Sequence, residues 1–380
     1  MSLVILIYSL GPGGAERITS LLLEALSKEY PITLVLLEDI CHYNIPSNVT
    51  KVILGKNSTH ESGLKKLIKI PILAYKYSKI IRNCTHSFSL MTRPNYINIL
   101  ASFFTKKPKI FISERSYPSK QYGYGNLQSK INRFLIQTLY KRADKISANS
   151  PQNLQDLISN FQIPKSKTTL LPNCFDLEKI QNLSQENTPL KEKILAKKLE
   201  GKKIFVSIGR LDEGKNHTLL INALAALKDK NIFLFILGEG VLRESLQTQI
   251  NALNLANHIA LLGATTNPYA PLSCADFFLF ASNHEGFPNV LVESLALGIP
   301  VITTDCAPQM ILQSTQKMQN FKLGKCGITT PLNNKEIMIE AINWALENPA
   351  FFKKENLLSQ AKTFSITHQL PLYKKWLELK

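Results

Sequence analysis

Short runs of apolar residues alternate with longer stretches in which apolar residues recur every three or four positions. The short runs predict buried strands at residues 3–9, 32–38, 86–91, 109–114, 145–150 and 168–173. The longer stretches predict amphipathic helices between the strands, as at residues 16–26. Alternating strands and helices are typical of a parallel sheet covered by helices on both faces, so we predict an α/β fold.

The pattern is interrupted and then restarts in the second half of the chain. Residues 177–203 are rich in Gln, Asn, Glu and Lys and carry no strand signal, which predicts a crossover between domains. Strands are then predicted at residues 204–208, 232–237, 259–262, 276–282 and 301–304, with helices at 217–227 and 242–255. Because 380 residues exceed the usual size of one hydrophobic core, we predict two domains, residues 1–176 and 177–363.

Two carboxylates flank one predicted strand-to-helix turn. Glu285 follows the strand at 276–282, and Pro288 occupies the predicted first position of a helix that ends at Gly298. Glu293 lies more than one turn inside that helix. Free N–H groups at a helix start bind phosphate, and carboxylates accept hydroxyl groups, so this segment suits a sugar nucleotide. The alternative is an ordinary nucleotide-fold unit with two exposed glutamates.

Two further loops follow predicted strands. Arg210 and Lys215 lie five residues apart after the strand at 204–208, where a guanidinium fork and an ammonium group suit a diphosphate. The alternative is surface basicity. Gly14 lies in a glycine-rich loop after the first strand, whose backbone suits an approaching ligand. Glu16 replaces the third glycine of a dinucleotide fingerprint, and Glu38 is placed like a ribose-binding acid, so a dehydrogenase stays an alternative.

Charge is concentrated in one part of the chain. The net charge is +17, and residues 61–145 hold 17 Lys or Arg against three acids. Residues 64–82 mix aliphatic and basic side chains, which predicts either an anionic membrane surface as partner or a covering helix with extended lysines. Basic residues are not interleaved with aromatic residues as in a known nucleic-acid module, so we expect no nucleic-acid partner.

Apolar content and cysteine placement favour a globular protein kept in the cytoplasm. Hydrophobic residues make up 44% of the chain, and no apolar stretch reaches the length of a membrane span. The first strand carries no basic leader. Six scattered cysteines predict free thiols in a reducing compartment rather than a metal site.

The Glu285/Glu293 spacing, the Arg210/Lys215 loop and the Gly-Gly-Ala-Glu-Arg loop that ends at Arg17 together resemble retaining glycosyltransferases of family 4. That resemblance covers nearly the whole chain. It implies the GT-B fold, with two Rossmann-like doubly wound parallel-sheet domains and the donor site in the cleft between them. It also implies that a last helix within residues 364–380 packs back on the first domain.

The resemblance implies roles for individual residues. Glu285 would contact the donor sugar, Glu293 would bind the nucleotide ribose, and Arg210 with Lys215 would neutralise the leaving diphosphate without a metal cofactor. Further donor contacts are implied at Gly14, Gly263, Gly286, Phe287, Pro288 and Asn289. Many family members have a histidine where this chain has Arg115, which makes a sugar contact at that position doubtful.

Residues 6–11, 93–96 and 283–289 are similar to the N-acetylgalactosaminyltransferases of bacterial undecaprenyl-diphosphate-linked N-glycan assembly. This similarity implies UDP-N-acetylgalactosamine as donor, a lipid-diphosphate-linked amino-sugar glycan as acceptor, and a monomer at the cytoplasmic face of the inner membrane. Expected acceptor or membrane contacts are Arg93, Arg115, Lys65, Lys66, Lys69 and Lys76. Arg93 follows a predicted strand, where it would meet an acceptor diphosphate, and the alternative is an ordinary loop arginine. The alternatives are a transferase of lipopolysaccharide or capsule assembly, and a nicotinamide-dependent dehydrogenase.

Overall fold

The computed structural model describes residues 1–55, 62–227, 230–306 and 309–380. The chain forms two compact units. Unit 1 consists of Met1–Phe175 together with Ile366–Lys380, and unit 2 consists of Asp176–Ser365. Each unit is built on one sheet.

Unit 1 contains seven strands: β1 (Leu3–Ile7), β2 (Ile32–Leu36), β3 (Thr50–Ile53), β4 (His86–Leu90), β5 (Lys109–Glu114), β6 (Lys145–Ala148) and β7 (Thr168–Leu170). The helices in its first segment are α1 (Gly14–Leu26), α2 (Gly63–Ile68), α3 (Ile70–Ile81), α4 (Thr92–Ala101), α5 (Pro118–Gln121), α6 (Leu127–Leu139) and α7 (Pro151–Phe161). Short 3-10 turns span Tyr140–Arg142 and Lys165–Lys167.

The unit 1 sheet is parallel throughout, in the order β3-β2-β1-β4-β5-β6-β7. Its inner strand β1 is buried along its whole length. Leu3, Ile5 and Ile7 enter one hydrophobic cluster, whereas Val4 and Leu6 enter another. Because strand side chains alternate between faces, these two clusters are the cores on the two sides of the sheet.

Unit 2 contains eight strands: β8 (Lys203–Ile208), β9 (Ile232–Leu237), β10 (Ile259–Gly263), β11 (Phe277–Phe280), β12 (Val301–Thr304), β13 (Ser314–Lys317), β14 (Lys322–Gly324) and β15 (Gly327–Thr330). Its helices are α8 (Leu177–Gln185), α9 (Pro189–Leu199), α10 (His217–Ala225), α11 (Arg243–Ala252), α12 (Tyr269–Leu272), α13 (Asn289–Ala296), α14 (Gln309–Leu312), α15 (Lys335–Glu347) and α16 (Lys354–Lys362). A 3-10 turn spans Pro349–Phe351.

The unit 2 sheet has the order β10-β9-β8-β11-β12-β15-β14-β13. It is parallel from β10 to β15, and the last two strands are antiparallel. The predicted α/β class with two parallel-sheet, Rossmann-like units is therefore confirmed.

The last described helix, α17 (Ile366–Trp376), belongs to unit 1. The Ile366 N–H donates to the carbonyl of Phe175 at 2.8 Å, so the chain re-enters unit 1 beside the point where it left. The Trp376 ring then packs edge-on against Phe88 and Phe111, with ring centres 5.5 and 5.3 Å apart. Aromatic edge contacts of this kind add to the burial of apolar area.

The structure differs from the sequence-based predictions at Pro288, in the crossover region and at strand β3. Pro288 is not the first helical residue, because its ψ of 91° is extended and it caps α13, which begins at Asn289. The crossover region forms two helices, α8 and α9. Their buried apolar residues, Ile180 and Ile194, are far apart, so the sequence shows little helical periodicity there. Strand β3 was not predicted, because it is mostly exposed at the sheet edge and lacks an apolar run.

Within the described ranges, every helix is too short or too polar to cross a bilayer. All six cysteines are free thiols.

Candidate active site

The candidate site of unit 2 lies where two neighbouring parallel strands end. β8 pairs with β11, so the loop between β8 and α10 lies beside the loop between β11 and α13. The first loop carries Arg210 and Lys215, and the second carries Glu285. In doubly wound sheets, ligands bind at the carboxyl ends of the strands. The topology therefore brings together the three residues that the sequence assigned to diphosphate and sugar.

Glu285 and Lys215 form an ion pair at this edge. Their side chains are 16% and 20% exposed, so the pair is largely withdrawn from water yet open on one side. The Ser282 hydroxyl donates to Glu285 Oε1 at 2.8 Å. The Lys215 ammonium also lies over the Phe280 ring, 5.1 Å from its centre, where the ring face attracts a cation. Three contacts thus fix one carboxylate and one cation: the ion pair, the Ser282 hydrogen bond and the contact of Lys215 with the Phe280 ring.

The Lys215 loop is held in place by close backbone packing. The aliphatic stem of Lys215 lies against Gly209, where an added Cβ would come within 3.3 Å of its Cγ and Cδ. Gly238 has a φ of 146°, and a Cβ there would lie 1.9 Å from the Gly209 carbonyl oxygen. Only glycine fits that approach. Asn283 ties the second loop to the first, because its N–H donates to the Gly214 carbonyl at 2.8 Å.

Arg210 differs from Lys215 in exposure. Its side chain is 82% exposed, and its nearest charged partner is Asp212, at 3.4 Å between Nη2 and Oδ2. A surface pair of this kind contributes little and is easily exchanged for another anion. The site therefore holds one cation that is already paired and one that is available to a ligand.

The other residues predicted to bind the donor surround the start of α13. Gly286 is half-buried, Phe287 packs against Phe364 with ring centres 5.7 Å apart, and Asn289 begins the helix. Glu293 is the fifth residue of α13 and is 4% exposed. A buried carboxylate requires partners, and Glu293 has contacts in the protein.

Gly263 ends β10 with a φ of 82°, and its carbonyl accepts the Gly238 N–H at 2.8 Å. An added Cβ would lie 3.0 Å from Oε1 of Glu239. Gly263 therefore contacts the loop after β9. In the sheet, β9 is separated from β11 by one strand, β8.

Two titratable groups of this region were missed by the sequence analysis. His217, the first residue of α10, is 3% exposed, and neither ring nitrogen makes a hydrogen bond to a described residue. Burial, and then the charge of Lys215, lower the pKa of His217 to about 4. Burial raises the pKa of Cys306 to about 12, and the charges of Glu285 and Lys215 also act on this thiol. No spacing rule singles out either residue.

In unit 1, Gly14 begins α1 after the cap residue Gly13. The Glu16 carboxylate folds back over this helix start, so a Cβ on Gly13 would lie 2.1 Å from Glu16 Oε2. Burial raises the pKa of Glu16. The helix start that the sequence offers to a donor phosphate is therefore covered by the chain's own carboxylate, which would have to move for an anion to bind there.

The predicted acceptor residues divide into two groups. Lys66 and Arg93 are half-buried and meet at the Tyr8 ring, each 5.4 Å from its centre. The other three lysines are exposed. Lys65 lies on α2, Lys69 lies at the end of α2, and Lys76 lies on α3.

Arg115 lies apart from both groups. Its guanidinium donates to Asn173 Oδ1 at 2.7 Å and to the Tyr373 hydroxyl at 2.9 Å. These contacts attach the end of β5 to α17, so Arg115 has a structural role. The structure does not bring Arg115 to the other predicted acceptor residues.

A metal site was not predicted. Among the described residues, no group of three or more His, Cys, Asp or Glu side chains is arranged to hold a metal ion. The independence of metal stays a prediction.

Two family models match the chain. The model described as Glycosyltransferase Family 4 matches residues 12–179, and the model described as Glycosyl transferases group 1 matches residues 191–363. The N-acetylgalactosamine-N,N'-diacetylbacillosaminyl-diphospho-undecaprenol 4-alpha-N-acetylgalactosaminyltransferase of Campylobacter jejuni is 39% identical to this chain over 364 residues, covering 95% of this chain and 94% of the relative.

Solved structures share the fold. HepE of Anabaena, in complex with UDP, superposes with a TM-score of 0.77 at 19% identity and 100% coverage of both chains. Sucrose-phosphate synthase of Thermosynechococcus elongatus superposes with a TM-score of 0.80 at 16% identity, covering 100% of this chain and 99% of that one. At these identities the solved structures show the fold alone. Together with the 39% identity along nearly the whole chain, the matched models establish that this chain belongs to glycosyltransferase family 4.

Proposed function

We propose that this glycosyltransferase moves N-acetylgalactosamine from UDP-N-acetylgalactosamine to an undecaprenyl-diphosphate-linked amino-sugar glycan. The name of the Campylobacter jejuni relative, which is 39% identical over 95% of this chain, supports N-acetylgalactosamine as the transferred sugar and a diphospho-undecaprenol-linked glycan as the acceptor. Family membership favours this hypothesis over the dehydrogenase alternative. Because sugars that differ at one hydroxyl are discriminated by only a few hydrogen bonds, the donor is the part that most needs a direct test.

The observation that carries the mechanism is the Lys215–Glu285 pair with Arg210 beside it at the ends of β8 and β11. The bond between the anomeric carbon and the UDP oxygen breaks, and its electron pair leaves on that oxygen. Arg210 and Lys215 stabilise the negative charge that develops on the diphosphate, which is the largest charge change in the reaction. We propose that these two cations supply the charge for which a metal ion is otherwise used.

Glu285 orients the donor sugar by accepting its hydroxyl groups, and Glu293 fixes the ribose. The acceptor hydroxyl forms the new bond on the face from which UDP departs, and its proton passes to a diphosphate oxygen. The configuration at the anomeric carbon is therefore retained, giving an α linkage. No protein nucleophile is required in this scheme.

We also propose that the enzyme works as a monomer on the cytoplasmic face of the inner membrane. The exposed residues Lys65, Lys69 and Lys76 are interspersed with exposed apolar residues, Ile68 and Ile72, which are 75% and 62% exposed. Basic side chains beside exposed apolar ones favour an anionic bilayer surface. Sedimentation with vesicles of anionic and of neutral phospholipid tests this partner: equal sedimentation with both would contradict it.

The function is tested by incubating the purified protein with a panel of UDP-sugars and short-chain lipid-diphosphate glycans, in the presence of EDTA. UDP release and product mass are measured. Addition of one or more N-acetylhexosamine residues from UDP-N-acetylgalactosamine alone would support the donor, the reaction and metal independence together. Release only from another UDP-sugar would retain the mechanism but favour a lipopolysaccharide or capsule pathway. A Glu285→Gln variant serves as the control for uncatalysed hydrolysis of the UDP-sugar.

A further inference from the structure

Two cations of unit 1 converge on one phenol. Tyr8 follows β1, Lys66 lies on α2, and Arg93 is the second residue of α4. Lys66 Nζ and Arg93 Cζ each lie 5.4 Å from the centre of the Tyr8 ring. Lys66 also donates a hydrogen bond of 3.0 Å to the Tyr8 hydroxyl, which in turn donates to Glu38 at 2.6 Å. The phenol therefore positions both cations and is itself fixed by a buried carboxylate.

Arg93 is presented by an unusually well-anchored helix. α4 is buried on nearly all sides, and Asn95 and Asn98 donate to the carbonyls of Ser113 and Phe111 at 3.0 and 3.2 Å. Met91, which caps α4, has a φ of 78° and a ψ of 154°. Residues other than glycine adopt this region only at an energetic cost, and such backbone is concentrated at ligand-binding positions.

The cluster of Tyr8, Glu38, Lys66 and Arg93 carries two cations and one carboxylate, so positive charge exceeds negative charge within it. Arg93 Nε is buried and donates to no described residue. Buried donors are normally satisfied, so an acceptor is missing at this point. A planar guanidinium beside a compact ammonium group is the combination that suits phosphate oxygens.

We infer that Tyr8, Lys66 and Arg93 form the subsite for the diphosphate of the lipid-linked acceptor. This inference rests on the proposed function, which supplies an acceptor of that class. The subsite lies at the carboxyl ends of β1 and β4, which are neighbours in the middle of the sheet and so mark the usual ligand edge. Lys65, which adjoins Lys66 on α2, is exposed and lies outside the subsite.

The test compares two acceptors that differ only in the diphosphate. One is a short-chain prenyl-diphosphate-linked glycan, and the other is the same glycan as a methyl glycoside, both in neutral detergent so that no phospholipid headgroup supplies the anion. Replacing both cations (Lys66→Ala with Arg93→Ala) should raise the KM for the diphosphate acceptor at least about tenfold. The KM for the methyl glycoside and for UDP-N-acetylgalactosamine should not change.

The matched control is Lys28→Ala, which removes one exposed charge of unit 1 away from the cluster. Tyr8→Phe keeps the ring but loses the hydroxyl that holds Lys66, so it should raise the KM for the diphosphate acceptor by a smaller factor. Far-ultraviolet circular dichroism and thermal unfolding verify that the variants are folded. Equal KM changes for both acceptors, or no change for either, would overturn the subsite.

A binding measurement separates this inference from the proposed function. With the nucleotide site saturated by UDP, inorganic pyrophosphate is titrated calorimetrically into the wild type and into the double variant. Pyrophosphate binding that requires Lys66 and Arg93 would preserve the subsite even if no transfer were observed. Equal binding by both proteins, or binding by neither, would overturn it whether or not transfer occurs.

Discussion

Glu114 and Glu285 lie in comparable places and yet have opposite surroundings. Glu114 ends β5, and Glu285 follows β11, so both are at carboxyl ends of parallel strands. Glu114 is fully buried and accepts five hydrogen bonds on its two oxygens, from Thr92, Arg115, Tyr140 and, twice, Ser116. Glu285 is 16% exposed, and its described contacts, Lys215 and Ser282, both reach Oε1.

The difference separates a structural carboxylate from one suited to a ligand. Glu114 has no acceptor capacity left to offer, because its partners come from its own fold. Among the residues described, none donates to Glu285 Oε2, so this oxygen remains able to accept a sugar hydroxyl. Position at a strand end therefore does not distinguish the two carboxylates, whereas an oxygen with no hydrogen-bond donor among the described residues does.

The largest expected effect is on catalysis at Glu285. Glu285→Gln keeps the shape but removes the charge that accepts hydroxyls and pairs with Lys215, so kcat/KM should fall by about 10²–10³-fold. The free energy of unfolding should change little, since the side chain is partly exposed. Steady-state UDP release measures this, with Glu213→Gln as control, an exposed carboxylate on the adjacent loop. A wild-type rate in Glu285→Gln would remove the carboxylate from the mechanism.

Glu114 should show the reverse. Glu114→Ala leaves up to five buried donors without an acceptor, which should lower the free energy of unfolding of unit 1 by about 3 kcal/mol. Trp376 lies in unit 1 and Trp344 in unit 2, so fluorescence in a Trp344→Phe background reports urea unfolding of unit 1 alone. An unchanged unfolding midpoint would mean that the five hydrogen bonds are replaced at no cost.

His217 extends the comparison to a buried histidine whose ring nitrogens make no hydrogen bond to the residues that the structure describes. Its folded pKa of about 4 lies below the ordinary value of 6.5, so the unfolded chain takes up the proton first as pH falls. Stability is thus constant above pH 7 and should fall by about 2 kcal/mol between pH 7 and pH 5. Urea unfolding of unit 2, followed through Trp344 in a Trp376→Phe background, measures the loss. His217→Leu should remove this pH dependence of the free energy of unfolding. If the full pH dependence persisted in the variant, another titrating group would be its cause.

The smallest effect is expected at an exposed pair. Glu200 accepts hydrogen bonds of 2.8 and 2.9 Å from Lys197, and the side chain of Glu200 is 51% exposed. Glu200→Gln should change the free energy of unfolding by less than about 0.5 kcal/mol, because exposed pairs exchange readily with water. The same Trp344 fluorescence assay measures it. A loss as large as that at Glu114 would show that burial does not govern the difference between the carboxylates.

The sequence predicts the parts of the fold whose burial is uniform. β9 and β12 are buried at every position, and their apolar runs predict both with correct bounds. β14 and β13 carry lysines and only one buried apolar residue, Leu323, so antiparallel strands at that edge leave no readable pattern.

The candidate site is predictable to the same extent. Arg210, Lys215 and Glu285 were found because each follows a strand, and strand order then brings them together. The separation of Lys66 from Lys65 was not predictable, because the two are adjacent and only tertiary packing turns one toward Tyr8. The five hydrogen bonds of Glu114 were equally hidden, since two of the donors, Thr92 and Tyr140, lie more than twenty residues away.

The membership of α17 in unit 1 has a consequence for how the protein is made. During translation, every strand of unit 1 emerges from the ribosome before any strand of unit 2. Tyr373 and Trp376, which complete one face of the first sheet, emerge only after unit 2 has been synthesised in full. The unit whose synthesis begins first is therefore completed last. Phe88 and Phe111 are covered by the Trp376 ring only after the whole of unit 2 has been synthesised.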